Sequence, residues 1–588
     1  MSVEHTSMNQ LITDNIDVWT STVKTKSASG RGSSKKRELY GVKKLRELIL
    51  ELAVRGKLTS GLEFRGSSET EMKKTVEEKE VLAKARKIRA DKEVYSETAM
   101  NVFPPSWQVV HIGQFAHVLG GKRVPKGYKL TEEATDFTYL RVTDMKNQSI
   151  DESDLRYISE EVFEQISRYV INMEDVYVTI AGTIGAVGTI PPHLDGASLT
   201  ENAAKLVFRG ISKEYLIIML QSKFVQSQFG EAVNQMAQPK LSLSSIKQTL
   251  VSIPTLDEQV CIAEKVDELM TLCDQLEQQT EASIEAHQVL VITLLDTLTN
   301  SANAEELMQN WQMVAEHFDT LFTTEASIDQ LKQTILQLAV MGKLSKPLDS
   351  DTPVSNHLDS ILEQQKLTAS AKEFKLIEAE LESAKAEVGA NRVMLKARCF
   401  CDFITKGTTP SKTELLEIGD VPFLKVYNIV DNQLDFDYRP IFISQGVHEG
   451  KLKRSMASSG DVIMNIVGPP LGKVTILTDQ YTQWNMNQAL AVFKPVDVVF
   501  NRYLYYVLSC DLTLNSVLKE VKGTAGQDNL SLEQCRDLLI PIIGIEEQKR
   551  LVELVDILLD LCKFLKTRLK DSQTTQLHLT DAILEQAI

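Results

Sequence analysis

The chain is poor in the groups that do covalent or metal chemistry, and each shortage closes a class of function. Seven cysteines in 588 residues form no CxxC pair. Cys399-x-Cys401 is the nearest approach to one, and its spacing fits reduced, buried thiols of a reducing compartment better than a ligand pair. Nine histidines are scattered and no HExxH occurs, so His111 and His117 read as surface or internally satisfied groups, and no metal site is expected. Gly468-Pro-Pro-Leu-Gly472-Lys473 is one residue short of a phosphate-binding loop, and Val474 follows where Ser or Thr would hold magnesium. The Asn/Asp-Pro-Pro-aromatic tetrapeptide of adenine methyltransferases is missing, since Phe103-Pro104-Pro105-Ser106 and Gly468-Pro469-Pro470-Leu471 both depart from it. Gly182-x-x-Gly185-x-x-Gly188 joins strand-like segments, which suits tight turns rather than a dinucleotide loop. No run of about 20 apolar residues is present, and the start MSVEHTSMNQLITDNIDVW is polar, so a cytoplasmic protein without membrane contact is expected.

Positive charge is also short: the formal net charge is -16, which argues against holding nucleic acid by bulk electrostatics. The acid is concentrated, however. Residues 255–306 carry twelve Asp and Glu against the single Lys265, whereas 392–541 is close to neutral. Neutral modules with local basic loops therefore fit the composition, and the acidic helices read as solvated faces.

What the chain does have is a duplication. Residues 253–276, IPTLDEQVCIAEKVDELMTLCDQL, and 540–565, IPIIGIEEQKRLVELVDILLDLCKFL, share Ile-Pro, Glu-Gln (Glu258-Gln259, Glu547-Gln548), Val-Asp (Val266-Asp267, Val555-Asp556) and Leu-Cys (Leu272-Cys273, Leu561-Cys562). Repeats of this length point to repeated structural units. A second pair, LRELILELAVRGKL at 45–58 and LKQTILQLAVMGKL at 331–344, predicts helices ending at Gly56 and Gly342. The charged stretches that follow each of them, from Glu69 and from Ser360, read as surface connectors without a wide apolar stripe. Residues 25–37 read as a flexible Gly/Ser/Lys link, and Met8, Leu11, Ile12, Ile16, Trp19 and Val23 as a helical pattern before it.

Residues 102–254 and 392–541 carry short β-rich runs: TYLRVTDM, DVYVTIAG and AKLVF in one, PFLKVYNI, DVIMNIVG and ALAVF in the other. They align at Tyr139-Leu140-Arg141-Val142 with Phe423-Leu424-Lys425-Val426, Arg168 with Arg454, Asp175-Val176 with Asp461-Val462, Asn202–Phe208 with Asn487–Phe493, Tyr215 with Tyr503, and Leu241-Ser242-Leu243 with Leu530-Ser531-Leu532. The anchors match and the stretches between them do not, so two modules share a fold and differ in surface. After each comes a heptad seam: Ile262, Val266, Leu269, Cys273 and Leu276, then Leu551, Val555, Leu558, Cys562 and Leu565. Two equally narrow seams on equivalent helices are expected to pair with each other, ahead of each covering its own module. The repeat is permuted, because MQNWQMVAEHF from Met308 resembles MNQLITDNIDVW. Segments from both ends then make one spacer and 255–345 the other.

This order of parts resembles the specificity subunits of type I restriction-modification systems over nearly the whole chain, with FPPSW at 103–107 as the lead-in to the first recognition domain. The resemblance implies an α+β fold: two pseudo-symmetric target-recognition domains with twisted β-sheets, separated by long antiparallel coiled-coil-like helices. The expected domains are 1–101 (helical and linker segment completing the distal spacer), 102–254 (recognition domain 1), 255–390 (central helical spacer), 391–541 (recognition domain 2) and 542–588 (distal spacer helix). It further implies a non-catalytic subunit that recognises a bipartite, asymmetric double-stranded DNA site. Two modification subunits binding S-adenosylmethionine and restriction/translocase subunits using ATP and Mg2+ would be the partners, with no cofactor on this chain. The alternatives are a coiled-coil scaffold that reads no DNA and a divergent methyltransferase or nuclease.

DNA reading needs cations on phosphates and polar side chains on base edges. The basic loop Gly120–Lys129 supplies Lys122, Arg123, Lys126 and Lys129, and its counterpart supplies Lys406, Thr408, Thr409 and Lys412. Arg141 with Lys425, Arg168 with Arg454, Lys240 and Lys473 complete the expected DNA-binding set, a strand-edge salt bridge being the other reading for the paired cations. Asn202, Asn487 and Gln488 suit turn capping or base reading.

Overall fold

The computed structural model describes residues 13–26, 36–86, 88, 95, 100, 102–234, 239–389, 391–468, 471–518 and 529–587. They fall into two units: the described residues up to Ala282 together with those from Gln573 onward, and Ser283–Ser572. The first unit thus gathers segments from far apart in the chain, as the permuted repeat predicts. Met8, Leu11 and Ile12 lie outside the described residues.

In unit 1, helix α1 (Tyr40–Val54) buries Leu45, Leu48, Ile49, Leu52 and Ala53 at helical spacing. Its end explains the GKL signature. Gly56 donates to Ala53 O and Lys57 to Leu52 O, with Gly56 at φ +68, the left-handed cap that closes a helix. A Cβ on Gly56 would also stand 2.6 Å from Pro104 Cγ, so conformation and space both require glycine. Helix α2 (Ser68–Ala85) follows. The module is then built from β1 (Gln108–His111), β2 (His117–Gly120), β3 (Thr138–Leu140), β4 (Arg156–Tyr157), β5 (Val170–Ile171), β6 (Val176–Thr179), β7 (Val187–Gly188), β8 (Ala197–Leu199), β9 (Ala203–Val207), helix α3 (Lys213–Gln221) and β10 (Leu250–Ile253). One four-stranded sheet runs β7-β6-β9-β2, entirely antiparallel. A second runs β4-β3-β8-β5, in which β3 and β8 are parallel. β1 and β10 form a two-stranded ladder that closes the module. Every residue of β6 and β9 is buried, which is why these runs read as continuous apolar strands rather than alternating ones. The long helix α4 (Leu256–Asn300) leaves the module and passes into unit 2 from Ser283.

Unit 2 repeats this plan. Helix α5 (Glu325–Val340) ends at Gly342, φ +72, with the same two cap bonds, Gly342 to Ala339 O and Lys343 to Leu338 O. Helices α6 (Val354–Thr368) and α7 (Ala371–Ala386) precede β11 (Arg392–Lys396), β12 (Cys401–Lys406), β13 (Val421–Leu424), β14 (Phe442–Ile443), β15 (Ala457–Ser458), β16 (Val462–Asn465), β17 (Val474–Ile476), β18 (Gln483–Met486) and β19 (Leu490–Pro495). Helix α8 (Asn501–Leu508), β20 (Leu539–Ile543) and the long helix α9 (Ile545–Ala587) complete the series. The sheets run β12-β19-β16-β17 and β14-β13-β18-β15, with β13 and β18 parallel and β11 paired to β20. Strand for strand this is the order of unit 1. The chain is therefore an α+β protein with two modules of one topology, each followed by a long helix.

The duplicated Glu-Gln is a clamp at the start of each long helix. Gln259 Oε1 accepts the Ser212 N–H at 2.8 Å and its amide donates to Pro254 O at 2.9 Å. Gln548 accepts from Phe500 N at 2.8 Å and donates to Val498 O and Ile543 O at 3.1 and 2.9 Å. Glu258 takes hydrogen bonds from Thr59 and the Trp107 indole, and Glu547 from Ser345, just beyond the two GKL caps. The repeat marks where strand, cap and long helix are tied together.

In the two heptad seams Ile262, Val266 and Cys273 are buried, with Leu269 and Leu276 half-buried, and Leu551, Val555, Cys562, Leu558 and Leu565 repeat that pattern. Arg46 of α1 bonds Asp274 and Glu277, Lys265 donates to Leu58 O, and Leu551, Val555 and Cys562 share a core with Leu331, Ile335 and Leu336 of α5. The two charged stretches are packed rather than laid on a surface: Met72, Thr75 and Leu82 are buried, and the second stretch breaks at Ser370, the N-cap of α7, to bury Ile361, Ile377 and Leu381. At the two ends of the link expected at 25–37, Lys24–Lys26 pairs with Lys36–Glu38, and residues 27–35 lie outside the described residues. Finally, the alignment of Asn202 with Asn487 is two residues out. Thr200 N–H donates to Leu140 O as Asn487 N–H does to Leu424 O, and Gly121 meets Ala203 O as Gly407 meets Leu490 O. Backbone register equates Thr200-Glu201-Asn202-Ala203 with Asn487-Gln488-Ala489-Leu490.

Candidate nucleic-acid interface

The loop after β2 and the loop after β12 are anchored alike in the two modules. Gly121 N–H donates to Ala203 O at 3.0 Å and Lys122 N–H to Leu199 O at 2.8 Å; Gly407 N–H donates to Leu490 O at 3.0 Å and Thr408 N–H to Met486 O at 3.2 Å. A Cβ at Gly121 would lie 2.0 Å from Thr200 O, and one at Gly407 2.2 Å from Asn487 O. Only glycine lets the loop lie against the neighbouring turn. Beyond it, Pro125, Lys126, Gly127 and Tyr128 make a turn with Gly127 at φ +102 and Tyr128 N–H on Pro125 O, which sets Lys126 at its tip.

On this frame the expected DNA-binding residues take different places. Lys122, Arg123, Lys126 and Lys129 are exposed, as are Lys406, Thr408, Thr409 and Lys412. Lys122 Nζ stands 5.7 Å from the Tyr169 ring centre, while Arg123 Nε bonds Glu201 Oε1 at 2.5 Å with 80% of its side chain exposed. Thr409 Oγ1 donates to Gln488 Oε1, the equivalent couple in module 2. Burial pushes the Glu201 carboxyl up, yet hydrogen bonds from Arg123 and Thr200 hold it below the usual carboxylate range. In the second loop the Glu414 carboxyl is lowered to about 2 by the Ser411 hydroxyl and by Lys451. Arg168, Lys240 and Arg454 are exposed.

Two of the expected residues are engaged within the protein. Arg141 forms a bidentate pair with Asp144, at 3.1 and 2.6 Å, and reaches Asp154, with 24% of its side chain exposed. This is the salt-bridge reading weighed for it. Lys473 donates to Ile429 O at 3.0 Å, fastening β17 to the neighbouring hairpin. Lys425 is half-buried at the position equivalent to Arg141, and its N–H bonds Asn428 where Arg141 N–H bonds Asp144. Glu201 was absent from the sequence reading because its alignment partner was misplaced. Arg439 is exposed at φ +57, 5.1 Å from the Tyr438 ring centre.

Among the described residues no three His, Cys, Asp or Glu gather as metal ligands, and no helix is long and apolar enough to cross a membrane. What the loops offer is polar and cationic side chains on a fixed backbone, the equipment for reading a charged polymer.

Comparison with known proteins agrees. The model of the type I restriction modification DNA specificity domain matches residues 104–286 and again 399–573, one copy per module. The chain belongs to that family: it is a DNA sequence-specificity subunit of the type I restriction-modification class, a recognition component rather than a catalyst. It is 30% identical over 600 residues to the EcoAI specificity subunit of Escherichia coli, covering 99% of this chain and all of that one. It is 29% identical over 627 residues to the EcoEI specificity subunit of the same organism, with 99% and 100% coverage. The HsdS subunit crystal structure from Thermoanaerobacter tengcongensis is similar at 18% identity and a TM-score of 0.37, over 82% of this chain and 97% of that one.

Proposed function

We propose that each module takes one half of a bipartite, asymmetric double-stranded DNA site and that the long helices set the distance between the halves. One observation carries this reading: two modules of identical sheet order and identical loop anchorage present different side chains. Phosphate contacts from Lys122, Lys126, Lys129, Arg168, Lys240, Lys406, Lys412 and Arg454 would set register, and neighbouring polar groups would select bases. Two modification subunits carrying S-adenosylmethionine, and restriction/translocase subunits using ATP and Mg2+, are the partners this reading calls for. The adenines to be methylated must leave the base stack to be reached. No cofactor is assigned to this chain, and it works in the cytoplasm beside the DNA.

The spacer can be tested directly. Four residues inserted near Gln278 in α4 lengthen a helix by about 6 Å at about 1.5 Å per residue, close to two base pairs at about 3.4 Å each. Long-read methylome sequencing of a strain expressing the altered subunit with its partners should show a correspondingly longer spacer and unchanged half-sites. An unchanged spacer refutes the ruler. Exchanging 102–252 for another such module should alter one half-site alone.

A further inference from the structure

Two positions beyond the pinned glycine, each loop meets the turn that follows the central strand of the second sheet, and the meeting is a side-chain couple. In module 1 it is Arg123 with Glu201; in module 2 it is Thr409 with Gln488. The peptide groups around both couples are superposable in their bonding, down to Ala203 N–H on Thr200 O and Leu490 N–H on Asn487 O. Place is therefore set by backbone that no substitution at these four positions disturbs, while the donor and acceptor pattern is left to the side chains. A pair that only braced a loop would gain nothing from differing so completely in charge and shape on one frame.

We propose that these couples read bases, Arg123 taking guanine in the half-site of module 1 and Gln488 taking adenine in that of module 2. The assignment deepens the DNA-reading function proposed above and rests on it. Arg123 spends Nε on Glu201, so the terminal Nη1/Nη2 edge stays outward, and that edge matches the O6 and N7 acceptors of guanine. Glu201 fixes the orientation of the fork, and is itself held by the hydroxyls of Thr200 and Tyr139 at 3.2 and 3.4 Å. Thr409 uses one lone pair of Gln488 Oε1. The second lone pair and the amide N–H2 of Gln488 present the acceptor-donor pattern that adenine N6 and N7 complement.

The test uses the complete complex with its partner subunits and a randomised duplex library selected at fixed salt. Arg123→Thr with Glu201→Gln installs the couple of module 2 in module 1. One guanine of that half-site should give way to adenine, preference at that position shifting by about tenfold or more, with the other half-site untouched. Arg123→Lys, an exposed change that keeps the charge and loses the fork, should relax the same position while total affinity changes only a few-fold. If both variants keep the original consensus and merely bind all sequences more weakly, the couple is a brace and the base assignment fails, although DNA reading stands. If the unaltered complex shows no sequence preference at all, the assignment and the function beneath it fail together.

Discussion

Replacing Gln548 by leucine isolates the clamp from everything else the long helix does. Gln548 is fully buried, and leucine nearly matches its volume, so packing is close to conserved. What disappears is one bond from Phe500 N–H and two to the carbonyls of Val498 and Ile543. A buried polar group left without a partner costs about 1–3 kcal/mol. Taking about 2 kcal/mol for the N–H and about 1 kcal/mol for each carbonyl, which keeps a second lone pair, gives about 4 kcal/mol. The apolar gain of leucine offsets about 1 kcal/mol, leaving about 3 kcal/mol against a domain stability of about 5–15 kcal/mol. Gln259 makes two such bonds rather than three, so Gln259→Leu should cost about 1 kcal/mol less than its twin. Calorimetry and urea unfolding of the two variants should show different transitions displaced, that of unit 2 by Gln548→Leu and that of unit 1 by Gln259→Leu. A loss below about 1 kcal/mol for Gln548→Leu, or a larger loss for Gln259→Leu, would refute the assignment of these glutamines as the tie between module and helix.

Three further outcomes follow from the same structure. Gly342→Ala forces a side chain into φ +72 and toward the Arg392 guanidinium, so urea unfolding should show unit 2 losing more than the roughly 1 kcal/mol of an ordinary cap change. His357 accepts the N–H of Ile545, and burial lowers its pKa; the neutral form is the stabilising one, so the contribution is complete above the ordinary value of about 6.5 and is lost as pH falls below it. Melting of unit 2 measured from pH 8 to pH 5 should therefore fall more steeply in the parent than in His357→Gln. Burial pushes the thiols of Cys273 and Cys562 up to about 11 and of Cys399 and Cys535 up to about 12, leaving half-buried Cys261 the accessible one. A disulfide reagent at pH 8 should modify about one thiol in the native protein and seven after denaturation.

The duplicated motifs carried the architecture because each of their residues does a local job that leaves a local signature. Gly56 and Gly342 cap helices, Gln259 and Gln548 satisfy backbone a few residues away, and continuous apolar runs such as VYVT and VIMN mark strands buried on both faces. The loops resisted reading because their partners are distant in sequence. Arg141 looked like a phosphate contact until Asp154 and Asp144 closed around it, and Glu201 stayed hidden while the matching asparagines Asn202 and Asn487 suggested a register that the backbone does not use. Packing of α2, α6 and α7 was equally invisible, since narrow stripes of three or four apolar residues look like solvated helices until a neighbour covers them.

Unit 1 takes in Gln573–Ile588, where Thr580 meets the Thr22 hydroxyl at 3.1 Å and Asp581 receives the Tyr40 phenol at 2.8 Å. On the ribosome this imposes a waiting time. After Ala282 has been made, roughly 290 further residues must emerge before that segment exists, which at about 5–20 residues per second is about 15–60 s. The unit begun first is thus the one finished last, and the surface around Thr22 and Tyr40 stays open to chaperones while unit 2 is being synthesised.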